Sequence, residues 1–167
     1  FCKELSEGNS MIQNISKERE EDIHAFMENF PALKYKEAYQ KMGYLKDIDK
    51  FDYSYFQIAP SEARTMAPEQ RLLLENVMHT VEDSGYGNRI RGMKTGVYVG
   101  YSDDALLNYQ TLIYANQKTL PLESLTGNIR SVLAGRIAYY LNLKGPAIVF
   151  DTACSSSLVA LHYACED

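Results

Sequence analysis

The chain has 167 residues, 46% of them hydrophobic, with 17 Lys and Arg against 22 Asp and Glu and a formal net charge of −5. That length and apolar content suffice for one globular domain with a real core and argue against a disordered chain. The acidic balance, with no basic stripe interleaved with aromatics, argues against a nucleic-acid partner, and no apolar run approaches the roughly 20 residues needed to span a bilayer.

Three cysteines, at positions 2, 154 and 165, show no metal-ligand spacing, which points to a reducing cytoplasm and no zinc site. The segment after Phe1 carries no signal-peptide pattern, although the first residue need not be the natural start. No internal repeat or low-complexity tract is present.

In chain order, Phe1 to Ile12 (FCKELSEGNSMI) reads as the end of a helix closed by Gly8, with Phe1 and Leu5 on one face. Residues 13–50 are polar and charged, with Pro31 the one strong breaker, and are expected to form a surface excursion with short helical turns. His24, among Glu20, Glu21 and Asp22, reads as a solvated histidine rather than a ligand. Gly43 to Pro60 places Tyr44, Leu45, Ile48, Phe51, Tyr53, Tyr55 and Phe56 close together, an aromatic cluster expected in the core rather than as a binding platform.

Met66 to Gly85 is the clearest predicted helix. Pro68 suits the first turn because its missing N–H is not needed there. Leu73, Leu74, Val77, Met78 and Val81 give the stripe at spacings of three and four, and Gly85 supplies a left-handed cap. His79 is assigned to packing or surface. Gly96 to Gly100 (GVYVG) is a short strand between glycines. Residues 102–118 carry Asp103, Asp104, Leu106, Leu107, Tyr109 and Leu112 and are expected to form a helix with a mobile tip near Gln117. Adjacent helix residues point about 100° apart, so Asp103 and Asp104 fit a helix N-terminus better than a shared acid-base or metal site.

Thr126 to Pro146 shows a helical stripe of Ile129, Val132, Leu133, Ile137, Tyr140 and Leu141, with Asn128 as expected N-cap and Gly135 allowing close approach by another element. Arg136 interrupts the apolar surroundings and should pair with a carboxylate or with carbonyl groups. Ala147 to Phe150 then reads as a strand buried on both faces. It is followed by a helix with Leu158, Leu161, His162 and Cys165 on one face.

Between that strand and helix sits Cys154, flanked by the small residues Thr152, Ala153, Ser155, Ser156 and Ser157. A lone intracellular cysteine is ordinarily a buried small hydrophobe. Here the position suits a nucleophile, because the free N–H groups and positive end of the following helix stabilise negative charge on sulfur. The same N–H groups can face the oxyanion that forms when a thiolate attacks a thioester carbonyl. The chemistry indicated is acyl transfer through a covalent intermediate.

The run Asp151 to Ser157 (DTACSSS), continuing as Leu158 to Ala164 (LVALHYA), closely resembles the active-site segment of β-ketoacyl synthase domains from modular polyketide synthases. Met66 to Glu75 (MAPEQRLLLE) resembles a second motif of that family, which usually has aspartate where this chain has Ala67. The similarity runs from Phe1 to Asp167 and is strongest over 45–84 and 127–164. It implies an α/β chain with the thiolase-like fold (layered α/β/α), present as the N-terminal half only. Residues 1–167 would be a partial ketosynthase domain, with the first strand and the whole C-terminal half absent. The resemblance carries over one catalytic residue, Cys154, and a cysteine there argues against chain-length-factor relatives.

That resemblance also implies a substrate and partners. Cys154 would take an acyl chain from the phosphopantetheine arm of an acyl carrier protein and condense it with a malonyl-type extender. No cofactor is bound directly and no metal is needed. A homodimer, with the nucleophile near the interface, and other domains of a multienzyme are implied as well. Condensation needs two histidines from the family's second half, and His24, His79 and His162 lie in neither motif. His162 is eight residues past Cys154, about 12 Å along a helix, and is read as a packing histidine.

Three rivals stand beside this reading. A non-elongating synthase would keep Cys154, lack a downstream histidine and pass acyl chains along. A truncated domain would be an interaction module without chemistry. A cysteine hydrolase would need a nearby general base, which no histidine here supplies.

Overall fold

The computed structural model describes residues 2–28, 39–87, 89–102 and 105–167, with the side chains of 105–108 left aside. Pro31, Asp103, Asp104 and the Phe1 face of the first helix therefore lie outside the described residues, as do the side chains of Leu106 and Leu107. The chain divides into two compact units at Asp47 and Ile48.

In the first unit, α1 (Cys2–Ser6) ends where Gly8 takes φ +69°, and the N–H groups of Glu7, Gly8 and Asn9 return to Lys3, Leu5 and Glu4. The expected glycine closure is present. Among its described residues, the polar stretch after it holds an 11-residue helix, α2 (Lys17–Met27), rather than short turns alone. Ser16 caps it by accepting from the Arg19 N–H at 3.3 Å. His24 on this helix is exposed. Tyr44 and Leu45 belong to this unit, with the Arg19 guanidinium 5.8 Å from the Tyr44 ring centre and Leu45 exposed.

The second unit is built on two parallel strands. β1 (Val97–Gly100) pairs with β2 (Ala147–Phe150) in the register Val97 to Ala147 through Gly100 to Phe150. Strand side chains alternate between faces, and the two faces have different covers. Val97 and Val99 pack into a cluster formed by Phe56, Met66, Leu74, Met78, Val81, Ile137 and Leu141, while Val149 meets Ala67 and Leu133. These residues come from α4 (Pro68–Asp83), α7 (Val132–Tyr140) and the flanking loops. The opposite face, with Tyr98 and Phe150, meets α8 (Ser156–Glu166), whose Tyr163 ring stacks on Phe150 at 4.9 Å. The result is helix, sheet, helix, in three layers.

The α4 stripe behaves as its spacing predicts: Leu74, Met78 and Val81 are buried, Leu73 and Val77 pack beside them, and Gly85 takes φ +77° past the end. The helix starts at Pro68, and Pro60–Thr65 forms a separate helix, α3. Ala67 at the N-cap offers no side-chain bond and is wholly buried against Leu133. His79 is exposed.

The aromatic cluster divides. Phe51 stacks on the buried Phe56 at 4.9 Å, but Tyr53 and Tyr55 stay exposed. Tyr55 keeps its hydroxyl on Glu82 at 3.4 Å. Partial desolvation, then the neighbouring Tyr140 and Glu82, raise its pKa above the usual phenol value.

Several other expectations change. Among the described side chains of α5 (Ala105–Gln117), Ile113 is buried and Leu112 is exposed. Asn128 does not cap a helix. Its buried amide donates to the carbonyls of Thr65 at 2.8 Å and Ser124 at 2.6 Å, joining the α3–α4 junction to α6 (Leu122–Thr126). Ile129 is exposed. A Cβ at Gly135 would meet nothing within 4 Å, so no described element makes a close approach there. β2 is only half covered, with Ile148 40% exposed, because a two-stranded sheet leaves its edges and part of its faces open.

Arg136 is paired as expected. Its Nη1 reaches Glu62 Oε1 at 2.6 Å and its Nε donates to Gln70 Oε1 at 3.1 Å, tying α7 to α3 and α4. With the Arg136 side chain only 13% exposed, Arg136→Met should lower stability by about 2 kcal/mol, since Glu62 would keep a poorly solvated charge. Chemical denaturation of the protein measures this, and an unchanged midpoint would show the pair to be energetically idle.

Candidate active site

Cys154 lies in the 3-10 turn Ala153–Ser155 that joins β2 to α8, and it is exposed. This sets it apart from a cysteine used as core filler. The turn is short and heavily tied. The Thr152 N–H donates to Ser156 Oγ at 2.9 Å, and Ser156 Oγ donates to the Ala153 carbonyl at 2.7 Å. Ser155 Oγ donates to the Thr152 carbonyl at 2.8 Å. Asp151, at the end of β2, holds Arg130 at 2.6 Å and accepts from the Ala153 N–H at 3.4 Å.

Ala153 adopts φ +55°, a left-handed conformation that L-residues enter at a cost of about 1 kcal/mol or more. The strained residue directly precedes Cys154. The start of α8 lies on the end of β1: a Cβ on Gly100 would come within 2.6 Å of Ser156 C and Ser157 N. Only glycine allows that approach.

The turn thus presents the thiol outward at the beginning of an 11-residue helix, where backbone N–H groups and the helix dipole favour developing negative charge. Leu158, Leu161, His162 and Cys165 do not pack as their spacing predicts. Leu158 is 72% and Leu161 59% exposed, and Cys165 is exposed as well. The small Ser156 and Ala160 are instead the buried residues of α8, because they let the helix backbone lie close to the sheet. His162 is exposed, its ring 5.4 Å from Tyr163.

From the sequence, Ser156 and Gly100 read only as a small neighbour of Cys154 and a glycine bounding a strand, and the Arg130–Asp151 pair is not foreseen. The repeated serines after Cys154 and the glycine closing a strand were the available signals. Elsewhere, a cleft of about 480 Å³ is lined by Tyr55, Met78, Glu82, Arg91 and Tyr140 and includes none of the residues around Cys154. Among the described residues there is no cluster of His, Cys, Asp and Glu fit for a metal, and no helix is long and apolar enough to cross a membrane.

All of residues 1–167 match the family model for the β-ketoacyl synthase N-terminal domain. The chain belongs to the β-ketoacyl synthase family. The polyketide synthase PksM of Bacillus subtilis is 42% identical over 163 residues, which cover 96% of this chain and 4% of that protein. The hybrid PKS-NRPS synthetase apdA of Emericella nidulans is 45% identical over 120 residues, 71% of this chain and 3% of that one. The ketosynthase from module 6 of the Bacillus subtilis bacillaene synthase superposes with a TM-score of 0.72 at 34% identity, covering 98% of this chain and 25% of its own. An oxazolomycin ketosynthase domain from Streptomyces albus gives a TM-score of 0.73 at 29% identity, covering 99% and 29%. The fold is therefore thiolase-like, and the chain spans the N-terminal part of a ketosynthase, a small fraction of the synthases it matches.

Proposed function

We propose that Cys154 is the acyl-accepting nucleophile of a polyketide-synthase ketosynthase. What supports this reading most is the exposed thiol on the strained turn between β2 and α8, in a chain of this family. The donor is an acyl thioester on the phosphopantetheine arm of an acyl carrier protein. The Cys154 sulfur attacks the thioester carbonyl, and a tetrahedral oxyanion forms beside the N–H groups at the start of α8. Collapse breaks the bond to the pantetheine sulfur, which leaves as a thiol carrying the proton lost by Cys154. The acyl group stays on Cys154.

Decarboxylative condensation with a malonyl-type extender completes the reaction in the full-length protein, using histidines from its second half. We read the working form as a homodimer within a multidomain assembly line. The test is to incubate the full-length protein with an acyl thioester of a carrier protein, quench in acid and map the adduct by peptide mass. The acyl mass is expected on the Cys154 peptide and absent from those of Cys2 and Cys165. An adduct on either other cysteine, or none, would overturn the assignment.

A further inference from the structure

Ala153 holds a left-handed backbone that alanine does not choose, and such strain persists only where its surroundings over-determine it. Asp151 accepts from the Ala153 N–H at 3.4 Å, and a second side chain supplies two further bonds. Ser156 Oγ accepts from the Thr152 N–H at 2.9 Å and donates to the Ala153 carbonyl at 2.7 Å, so it grips the backbone on both sides of the strained residue. Ser156 is only 4% exposed, wedged where Gly100 leaves room beneath the start of α8. Its oxygen thereby has one donor and one acceptor partner, and neither is solvent.

The neighbouring hydroxyl has a different role. Ser155 Oγ bonds Thr152 alone, at the carbonyl and at Oγ1. It makes no hydrogen bond to Ala153. Removing Ser156 Oγ would take one partner from the Thr152 N–H and one from the Ala153 carbonyl, leaving the Asp151 bond to the Ala153 N–H and the Ser156 N–H on the Ala153 carbonyl, and let Ala153 relax toward negative φ. The relaxation rotates the next residue, Cys154, away from its outward aim.

We propose that Ser156 is a positioning residue for Cys154, holding the Ala153 peptide in the left-handed conformation that presents the thiol. The proposal rests on the reading of Cys154 as the acyl acceptor. Its experiment separates the two. In the full-length protein, Ser156→Ala, Ser156→Thr, Ser157→Ala and Cys154→Ala are compared for acyl loading from a carrier-protein thioester and for iodoacetamide alkylation of each cysteine. Cys2 and Cys165, both exposed in this chain, serve as internal controls.

Ser156→Ala is expected to slow both loading and alkylation at Cys154 by about tenfold, the effect of losing two hydrogen bonds that set its geometry. Alkylation of Cys165, on the same helix, should hold its rate. Ser156→Thr, which keeps the hydroxyl, should recover most of the loss, and Ser157→Ala should load normally. If Ser156→Ala loads and alkylates at the parent rate, or slows Cys165 equally, the positioning role fails while the nucleophile stands. An acyl adduct that survives in Cys154→Ala removes the nucleophile reading itself.

Discussion

Cys154→Ala in the full-length protein is expected to reduce acyl loading from a thioester donor by roughly 10³-fold or more, to the floor of detection, since alanine leaves the turn no thiol with which to form the covalent thioester. The side chain is exposed, and the hydrogen bonds that tie the turn do not use its sulfur, so the fold should survive the change. Thermal unfolding should move by less than about 1 kcal/mol equivalent. Cys165→Ala is the matched control, an exposed cysteine on the same helix with no place in the turn. It should load at the parent rate. Intact-mass kinetics of the acyl adduct reads both variants. Equal loading by Cys154→Ala and the parent would move the chemistry to another residue.

Gly100→Ala should be the most damaging single methyl added to the second unit around this turn. The new Cβ would come within 2.6 Å of Ser156 C and Ser157 N and 2.7 Å of Ser157 Cα. These are backbone atoms, which cannot rotate away as a flexible side chain does. Either β1 or the start of α8 must shift, and overpacking of this kind costs about 3 kcal/mol. Because the shifted segment carries the Cys154 turn, loading should fall by at least about tenfold even in the fraction that remains folded. Gly135→Ala supplies the contrast: its Cβ would meet nothing within 4 Å, and alanine is the better helix former, so stability should stay level or rise by up to about 1 kcal/mol. Chemical denaturation with parallel loading assays checks the pair. A Gly100→Ala protein as stable as the parent would mean that the strand and helix accommodate the methyl.

Much of the fold was legible because its signals are local. The α4 stripe, the Gly8 and Gly85 closures and both short strands follow from periodicity and from residue types within a few positions of one another. Arg136 could be expected to find a partner, since a charge among apolar residues needs one. Which partner was not legible: Glu62 lies 74 residues earlier in the chain. Asn128 shows the limit more sharply. Beside the start of a helical stripe it has the chemistry of a cap, yet its amide serves the Thr65 carbonyl, 63 residues away. The Leu158, Leu161, His162 and Cys165 stripe misleads for a related reason. Spacing says that four residues share a face, and it does not say which face meets the sheet.

The sequence by itself determined the family, the layered α/β character and the one candidate nucleophile, because the run from Asp151 to Ala164 and the helical periods are written in neighbouring residues. Only the tertiary structure decided that Cys154 is exposed in this chain, that Ala153 is left-handed with Ser156 Oγ bonded to its carbonyl, and that α8 buries Ser156 and Ala160 here instead of its leucines. Those outcomes depend on how closely α8 can approach Gly100 on a strand more than 50 residues earlier. Backbone approach of that kind is a property of packed surfaces, and no spacing along a chain encodes it.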